Sequence, residues 1–201
     1  MNVRTIGPHR VSNRSLEQVN YDDLTGGATI DMLKTDPPWS EDLMDYYVEL
    51  RNEQSSNTLF GNLSYLEMLS VLCDVADDHV DGFVLVTTQP DDPETYAVLD
   101  DRLHNVHQQK VPYRDDYCGV YIGATDPVYT FDARLGTVSG IDSVRACIRE
   151  GTDPGGIVCD PMCGKGQVAE ATLAEDRVFV GNDFNEQRVA DTSQVLARGE
   201  R

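Results

Sequence analysis

The chain has 201 residues, 40% of them hydrophobic, which is the size and composition of one domain with a real core and excludes general disorder. Its 35 acidic residues against 16 basic ones give a net charge of -19, so any contact with nucleic acid must be local. No apolar run approaches the roughly 20 residues of a membrane span, and the N-terminus lacks a secretory h-region; a cytoplasmic chain without a membrane partner is expected.

The acid is mostly Asp (24 against 11 Glu) and the base mostly Arg (13 against 3 Lys). It is dispersed in doublets such as Asp22-Asp23 and Asp115-Asp116 and forms no acidic tail. Such a surface is expected of a protein adapted to molar salt, where the Debye length is about 3 Å and self-repulsion is screened. The five cysteines, Cys73, Cys118, Cys147, Cys159 and Cys163, form no C-x-x-C pair and read as reduced, half-buried thiols.

Residues 1–17 are polar and hold the one basic stretch, with Arg4, His9, Arg10 and Arg14. They read as an arm, mobile or in contact with nucleic acid. A weak strand is expected at Gln18–Tyr21 and a stronger one at Ala28–Thr35. Ser40 can cap a helix with Glu41 and Asp42 in its first turn. Ser64-x-x-Glu67 is a capping box, followed by apolar residues at helical spacing from Tyr65 to Ala76. A strand at Gly82–Thr88, a helix over 93–110 and a strand at Tyr117–Ala124 come next. On the helix over 93–110, His104 and His107 would share a face, but no third ligand accompanies them, and no metal is expected. A helix over 141–150, a strand at Gly156–Cys159, a helix at Gln167–Ala174, a strand at Val178–Gly181 and a helix at Glu186–Arg198 complete the chain. Strands alternating with helices imply an α/β domain with a largely parallel sheet, whose ligands lie at the carboxyl ends of the strands.

Three strand ends carry chemistry. Thr35-Asp36-Pro37-Pro38-Trp39 is a rigid turn, because proline can neither extend a ladder nor enter a helix interior. It sets the Asp36 carboxylate beside the Pro37 carbonyl and an indole. Two acceptors and an aromatic plane suit a planar ring with an exocyclic amine, and they stabilise the charge that the amine develops during methyl transfer. Asp160-Pro161-Met162-Cys163-Gly164-Lys165-Gly166 joins a strand to a helix, with two glycines that permit close backbone approach. It is neither a P-loop nor a complete G-x-G-x-x-G fingerprint. Asp183, 17 residues after Gly166, ends the next strand, where an acid can hold both hydroxyls of a ribose, and Phe184 can pack on an adenine.

Together these segments resemble the S-adenosylmethionine-dependent amino-methyltransferases of DNA, in the permuted order that places the catalytic motif before the cofactor loop. Asp36-Pro37-Pro38-Trp39 matches the family's [DNS]-P-P-[YFW], and Asp160–Gly166 resembles its D-P-F-x-G-x-G. Asn20-Tyr21-Asp22-Asp23-Leu24 is similar to the G-D-x-x-x-L segment at the adenine pocket, with Asn-Tyr in place of the usual Gly. The resemblance covers about residues 18–198. It implies a Rossmann-like, seven-stranded, mostly parallel sheet with helices on both faces. It also implies one domain over 18–201: a catalytic half over 18–125, a short variable segment over 112–150 and a cofactor half over 151–201.

By resemblance, Asp160, Pro161, Met162, Gly164 and Gly166 hold the methionine part of S-adenosylmethionine, Asp183 the ribose and Phe184 the adenine, with Asp22 or Asp23 at the adenine amine. Asp36 and Pro37 hold the target amine, and Pro38 and Trp39 complete the catalytic motif, with the indole stacked on the base. The base would be flipped from duplex DNA at a cost of a few kcal/mol. Arg4, Arg10, Arg14 and Arg114, with Arg102 and Arg134, are the expected phosphate contacts. Asp before Pro-Pro leans toward adenine N6. Cytosine N4, adenine in RNA, and a non-catalytic cofactor-binding subunit are the alternatives; protein glutamine methylation is disfavoured by motif order. Because the variable segment is short, a homodimer or a separate recognition subunit is a further expectation. Host protection, replication marking and evasion of restriction fit equally.

Overall fold

The computed structural model describes residues 3–45 and 63–199. Their strands form one mixed sheet: β1 (Val3–Ile6), β2 (His9–Ser12), β3 (Ile30–Thr35), β4 (Val80–Thr88), β5 (His104–Tyr113), β6 (Asp116–Ala124), β7 (Ile157–Asp160) and β8 (Val178–Asn182). The spatial order is β1-β2-β8-β7-β3-β4-β6-β5. The five strands from β2 to β4 are mutually parallel, and β1, β6 and β5 attach antiparallel at the two flanks.

The sheet thus has eight strands where seven were expected, and it is mixed. The extra strand comes from the basic stretch read as an arm: from Val3 to Ser12 it is a hairpin of the sheet. The N-terminal strand that lies beside β8 is His9–Ser12 and not Gln18–Tyr21. Leu16–Gln18 is a 3-10 turn, and Asn20 caps a short helix, α1 (Tyr21–Thr25), by accepting the Asp23 N–H. The strand at β2 is held by polar bonds that hydropathy does not reveal. The buried His9 ring accepts the Phe179 N–H at 3.0 Å, and Ser12 donates to Asn182 at 2.7 Å.

The remaining helices are α2 (Tyr65–His79), α3 (Pro93–Arg102), α4 (Ile141–Gly151), α5 (Gln167–Ala174) and α6 (Glu186–Gly199). The capping box at Ser64 opens α2, whose Tyr65, Met68, Leu69, Leu72 and Ala76 are buried against one face of the sheet with α1 and α3. Burying each large apolar side chain contributes about 1.5–3 kcal/mol. The helices α4, α5 and α6 cover the other face, through Val144, Ile148, Val168, Val189 and Leu196. A turn at 41–45 starts under Ser40, which accepts the Leu43 N–H; the rest of that expected helix, from residue 46, lies outside the described residues.

The helix expected over 93–110 stops at Arg102, and β5 begins two residues later. His104 and His107 are therefore strand residues and share no helical face. Among the described residues no helix is long and apolar enough to cross a membrane.

Candidate active site

Register brings the three strand ends together. Met32 and Leu33 of β3 stand opposite Val158 and Cys159 of β7, and Cys159 and Asp160 stand opposite Val180 and Gly181 of β8. Thr35 consequently ends beside Asp160, and its hydroxyl donates to Asp160 Oδ1 at 3.0 Å. The same oxygen accepts the Met162 N–H at 3.1 Å. Asp160 is only 3% exposed. Burial pushes its carboxyl up to about 7, against the pull of the Met162 N–H, the Thr35 hydroxyl and the Lys34 ammonium; Asp36 adds to the rise.

The loop from Asp160 folds onto the end of β8. The Cys163 N–H donates to the Asn182 carbonyl at 2.8 Å, and the Gly164 N–H to Asp183 Oδ2 at 3.0 Å. Gly164 has a φ of 51°, and a Cβ there would meet nothing nearer than 3.9 Å, so its side of the loop is an open cradle. Gly166 has a φ of 86°, and a Cβ there would lie 3.1 Å from the Cα and Oγ1 of Thr192 on α6. Glycine is required at that point for both backbone and packing. Gly166→Ala is expected to destabilise the fold by about 1–2 kcal/mol from the left-handed backbone alone, with the crowding added. Equilibrium denaturation measures this; an unchanged midpoint would contradict the packing.

Asp183 is 8% exposed. Its Oδ1 accepts the Asn185 N–H at 2.8 Å while Oδ2 holds the loop. An ionised carboxylate is an acceptor of the kind that suits ligand hydroxyls. Beside it, Asn13 donates to the Asp183 carbonyl at 2.8 Å, and the buried Asn182 side chain exchanges hydrogen bonds with the backbone of Arg14. Phe184 follows, half buried.

At the end of β3, Pro37 is buried and Asp36 is exposed. Trp39 Nε1 donates to Asp36 Oδ1 at 2.8 Å, and Thr88 of β4 donates to the Trp39 carbonyl at 3.3 Å. The ring of Tyr113 meets the indole edge-on, with centroids 5.1 Å apart. The carboxylate, the indole and the cofactor-type loop thus share one edge of the sheet, the carboxyl edge of its parallel strands.

No family model matches the chain, and no curated protein matches it. Solved structures do. M1.HpyAVI in complex with SAM aligns with a TM-score of 0.65 at 14% identity, over 92% of this chain and 98% of that one. TTHA0409 of Thermus thermophilus, a proposed DNA modification methylase complexed with S-adenosyl-L-methionine, aligns with a TM-score of 0.63 at 10% identity, over 95% of this chain and 94% of that one. The cytosine-N4-specific PvuII DNA methyltransferase aligns with a TM-score of 0.61 at 14% identity, over 96% of this chain and 87% of that one. The chain has a DNA-methyltransferase fold.

Within that methyltransferase fold, two expected contacts, Asp22 and Arg10, are held by other elements. Asp22 lies on α1, 3.7 Å from His79, which ends α2 at the opposite, amino edge of β4. The segment that reaches the carboxyl edge beside Asp183 is Asn13–Arg14, because the N-terminal strand is β2. The Arg10 guanidinium donates to the carbonyls of Asp23 and Leu24. Arg4, opposite Val11, lies toward the carboxyl edge, 3.7 Å from Glu186. Exposed Arg14 and Arg114 lie at the carboxyl edge.

Two residues near the site, Lys34 and Tyr113, belong to none of the candidate site residues of the sequence. Lys34 is 2% exposed, and its ammonium donates to Thr87 Oγ1 at 2.6 Å and to the Thr35 carbonyl at 3.2 Å. Its signal was available: one of three lysines, inside a strand otherwise buried on both faces. Tyr113 gives no signal in the sequence: it lies between the helix expected over 93–110 and the strand expected at Tyr117–Ala124.

Proposed function

We propose that the chain is an S-adenosylmethionine-dependent DNA methyltransferase acting on the exocyclic amine of an extruded base, adenine N6. The observation that carries this reading is the Thr35–Asp160 hydrogen bond, which fixes the strand bearing Asp36-Pro37-Pro38-Trp39 against the strand bearing the glycine loop. Two adjacent strand ends then present an amine site and a cofactor site side by side.

The residues present fit the cofactor. The open side of Gly164 admits the methionine end, and buried Asp160 is an acceptor for its ammonium. Asp183 is the acceptor for the ribose hydroxyls, with Phe184 against the adenine. Pro161 and Met162 carry the backbone through the turn. Asn13 and Arg14 stand at the rim in the place assigned to Asp22. When bound, S-adenosylmethionine supplies an electrophilic methyl group whose departure leaves a neutral thioether.

The chain's own groups do the rest. Asp36 and the Pro37 carbonyl accept the two N–H bonds of the target amine, which aims its nitrogen in line at the methyl. Pro38 keeps the turn rigid. Trp39 offers its ring to the base while its N–H steadies Asp36. As the C–N bond forms the amine becomes positive, and Asp36 stabilises that charge and is the nearest acceptor for the proton that leaves. Positioning supplies much of the acceleration. A carboxylate before Pro-Pro favours adenine.

The acidic surface makes molar potassium chloride the assay medium. DNA treated with the protein and cofactor is digested to nucleosides and separated. N6-methyldeoxyadenosine is the expected product. N4-methylcytosine would replace the adenine assignment and keep the enzyme; a methylated nucleoside from RNA alone would replace the substrate.

A further inference from the structure

The β5–β6 ribbon outruns the sheet. Pairing of β6 with β4 ends at Gly119, whereas β6 and β5 remain paired out to Asp116 and Tyr113. The tip therefore overhangs the carboxyl edge on the side of Trp39. There an aromatic and cationic column runs outward from the catalytic carboxylate. Trp39 Nε1 is on Asp36, the Tyr113 ring is 5.1 Å from the indole, and the Arg114 guanidinium carbon is 5.2 Å from the Tyr113 ring centre. Tyr113 is 40% exposed and Arg114 is exposed, so neither is consumed by the core.

The turn itself is costly. Arg114 has a φ of 53° in a two-residue connection, where glycine or asparagine would sit without strain. A strained cation, held over an aromatic ring at the mouth of a site in a chain of net charge -19, marks a place where the side chain matters more than the turn.

We propose that this tip is the element that grips the DNA strand carrying the target base. Tyr113 fixes the plane of Trp39 and gives its exposed face to the nucleotide beside the extruded base, and Arg114 neutralises the adjoining phosphate. The inference rests on the reading of the chain as a DNA methyltransferase. Stacking suits a strand out of its helix, because every base has a π-face.

The test compares wild type, Tyr113→Phe, Tyr113→Ala and Arg114→Gly. Calorimetry gives S-adenosylmethionine affinity, and methyl transfer to duplex DNA is followed across a series of potassium chloride concentrations. All four bind the cofactor equally. Tyr113→Phe keeps the wild-type KM for DNA, and Tyr113→Ala raises it about tenfold. Arg114→Gly reduces the slope of log KM against log salt by about 1 and, with its turn relaxed, melts no lower than wild type. Tyr113→Ala and Arg114→Gly variants with wild-type KM and salt slope would overturn the inference, as would an equal loss of cofactor affinity in both. A wild type that binds cofactor but labels no DNA would instead sink the proposed function, and this tip role with it.

Discussion

Asp36→Ala is expected to slow methyl transfer by about 10²–10³-fold, the loss seen when one preorganised group facing the developing charge is removed, while cofactor affinity stays at the wild-type value. Asp36 is exposed and belongs to a turn fixed by Pro37, Pro38 and the Thr88–Trp39 bond, so the fold does not depend on its carboxylate. It does not touch the glycine loop, whose backbone is held by Asn182 and Asp183. The amine loses its charged acceptor, and the indole N–H loses its partner. Single-turnover rates with saturating DNA measure the effect. Asp36→Asn, which keeps a neutral acceptor, should fall between the two. A non-catalytic subunit would show no change in the activity of its assembly on either substitution.

Asp160→Asn is expected to separate stability from function. The carboxyl is buried and pushed up to about 7, chiefly by burial. A carboxyl raised in the folded state binds protons there that the unfolded chain has already released. Between the ordinary carboxylate range near pH 4 and about pH 7, stability therefore falls as pH rises, by on the order of 4 kcal/mol for a shift of this size. Below that window the group costs nothing, and above it the loss is complete and constant. Asparagine has no charge to bury, and its Oδ1 can still accept from Thr35 and the Met162 N–H. The variant should match wild type near pH 4 and melt higher at pH 8, where the gain is on the order of a few kcal/mol. It should also lose cofactor affinity by about tenfold or more, as expected when a charge-assisted hydrogen bond is given up. Thermal melts across this pH range and calorimetry at pH 8 measure both. A lower melting point at pH 8 would contradict the raised carboxyl.

The turn after β3 was legible because Pro-Pro after an apolar strand leaves few conformations, so the acid before it and the indole after it are held close together. The glycine loop was legible through its place between a strand and a helix. The flanks of the sheet were not. In β5 only Val106 and Val111 are buried, polar residues fill the rest, and no glycine or proline separates it from α3, so the helical pattern ran on into it. The strand at β2 is four residues long and is secured by His9 and Ser12, whose buried hydrogen bonds to Phe179 and Asn182 exist only once β8 is in place. Because β2 leads into Asn13–Arg14, that segment stands beside Asp183, while α1 holds Asp22 3.7 Å from His79. Tyr113 follows the same logic: its ring partner Trp39 is distant in the chain, so spacing says nothing of the contact.

The most direct test of the account is transfer of tritium from methyl-labelled S-adenosylmethionine to duplex DNA in molar potassium chloride, with wild-type protein and Asp36→Ala side by side. The account predicts label retained on DNA with wild type and a signal about 10²–10³-fold lower with the variant. Equal label from both proteins, or none from a wild type that binds the cofactor, would contradict it.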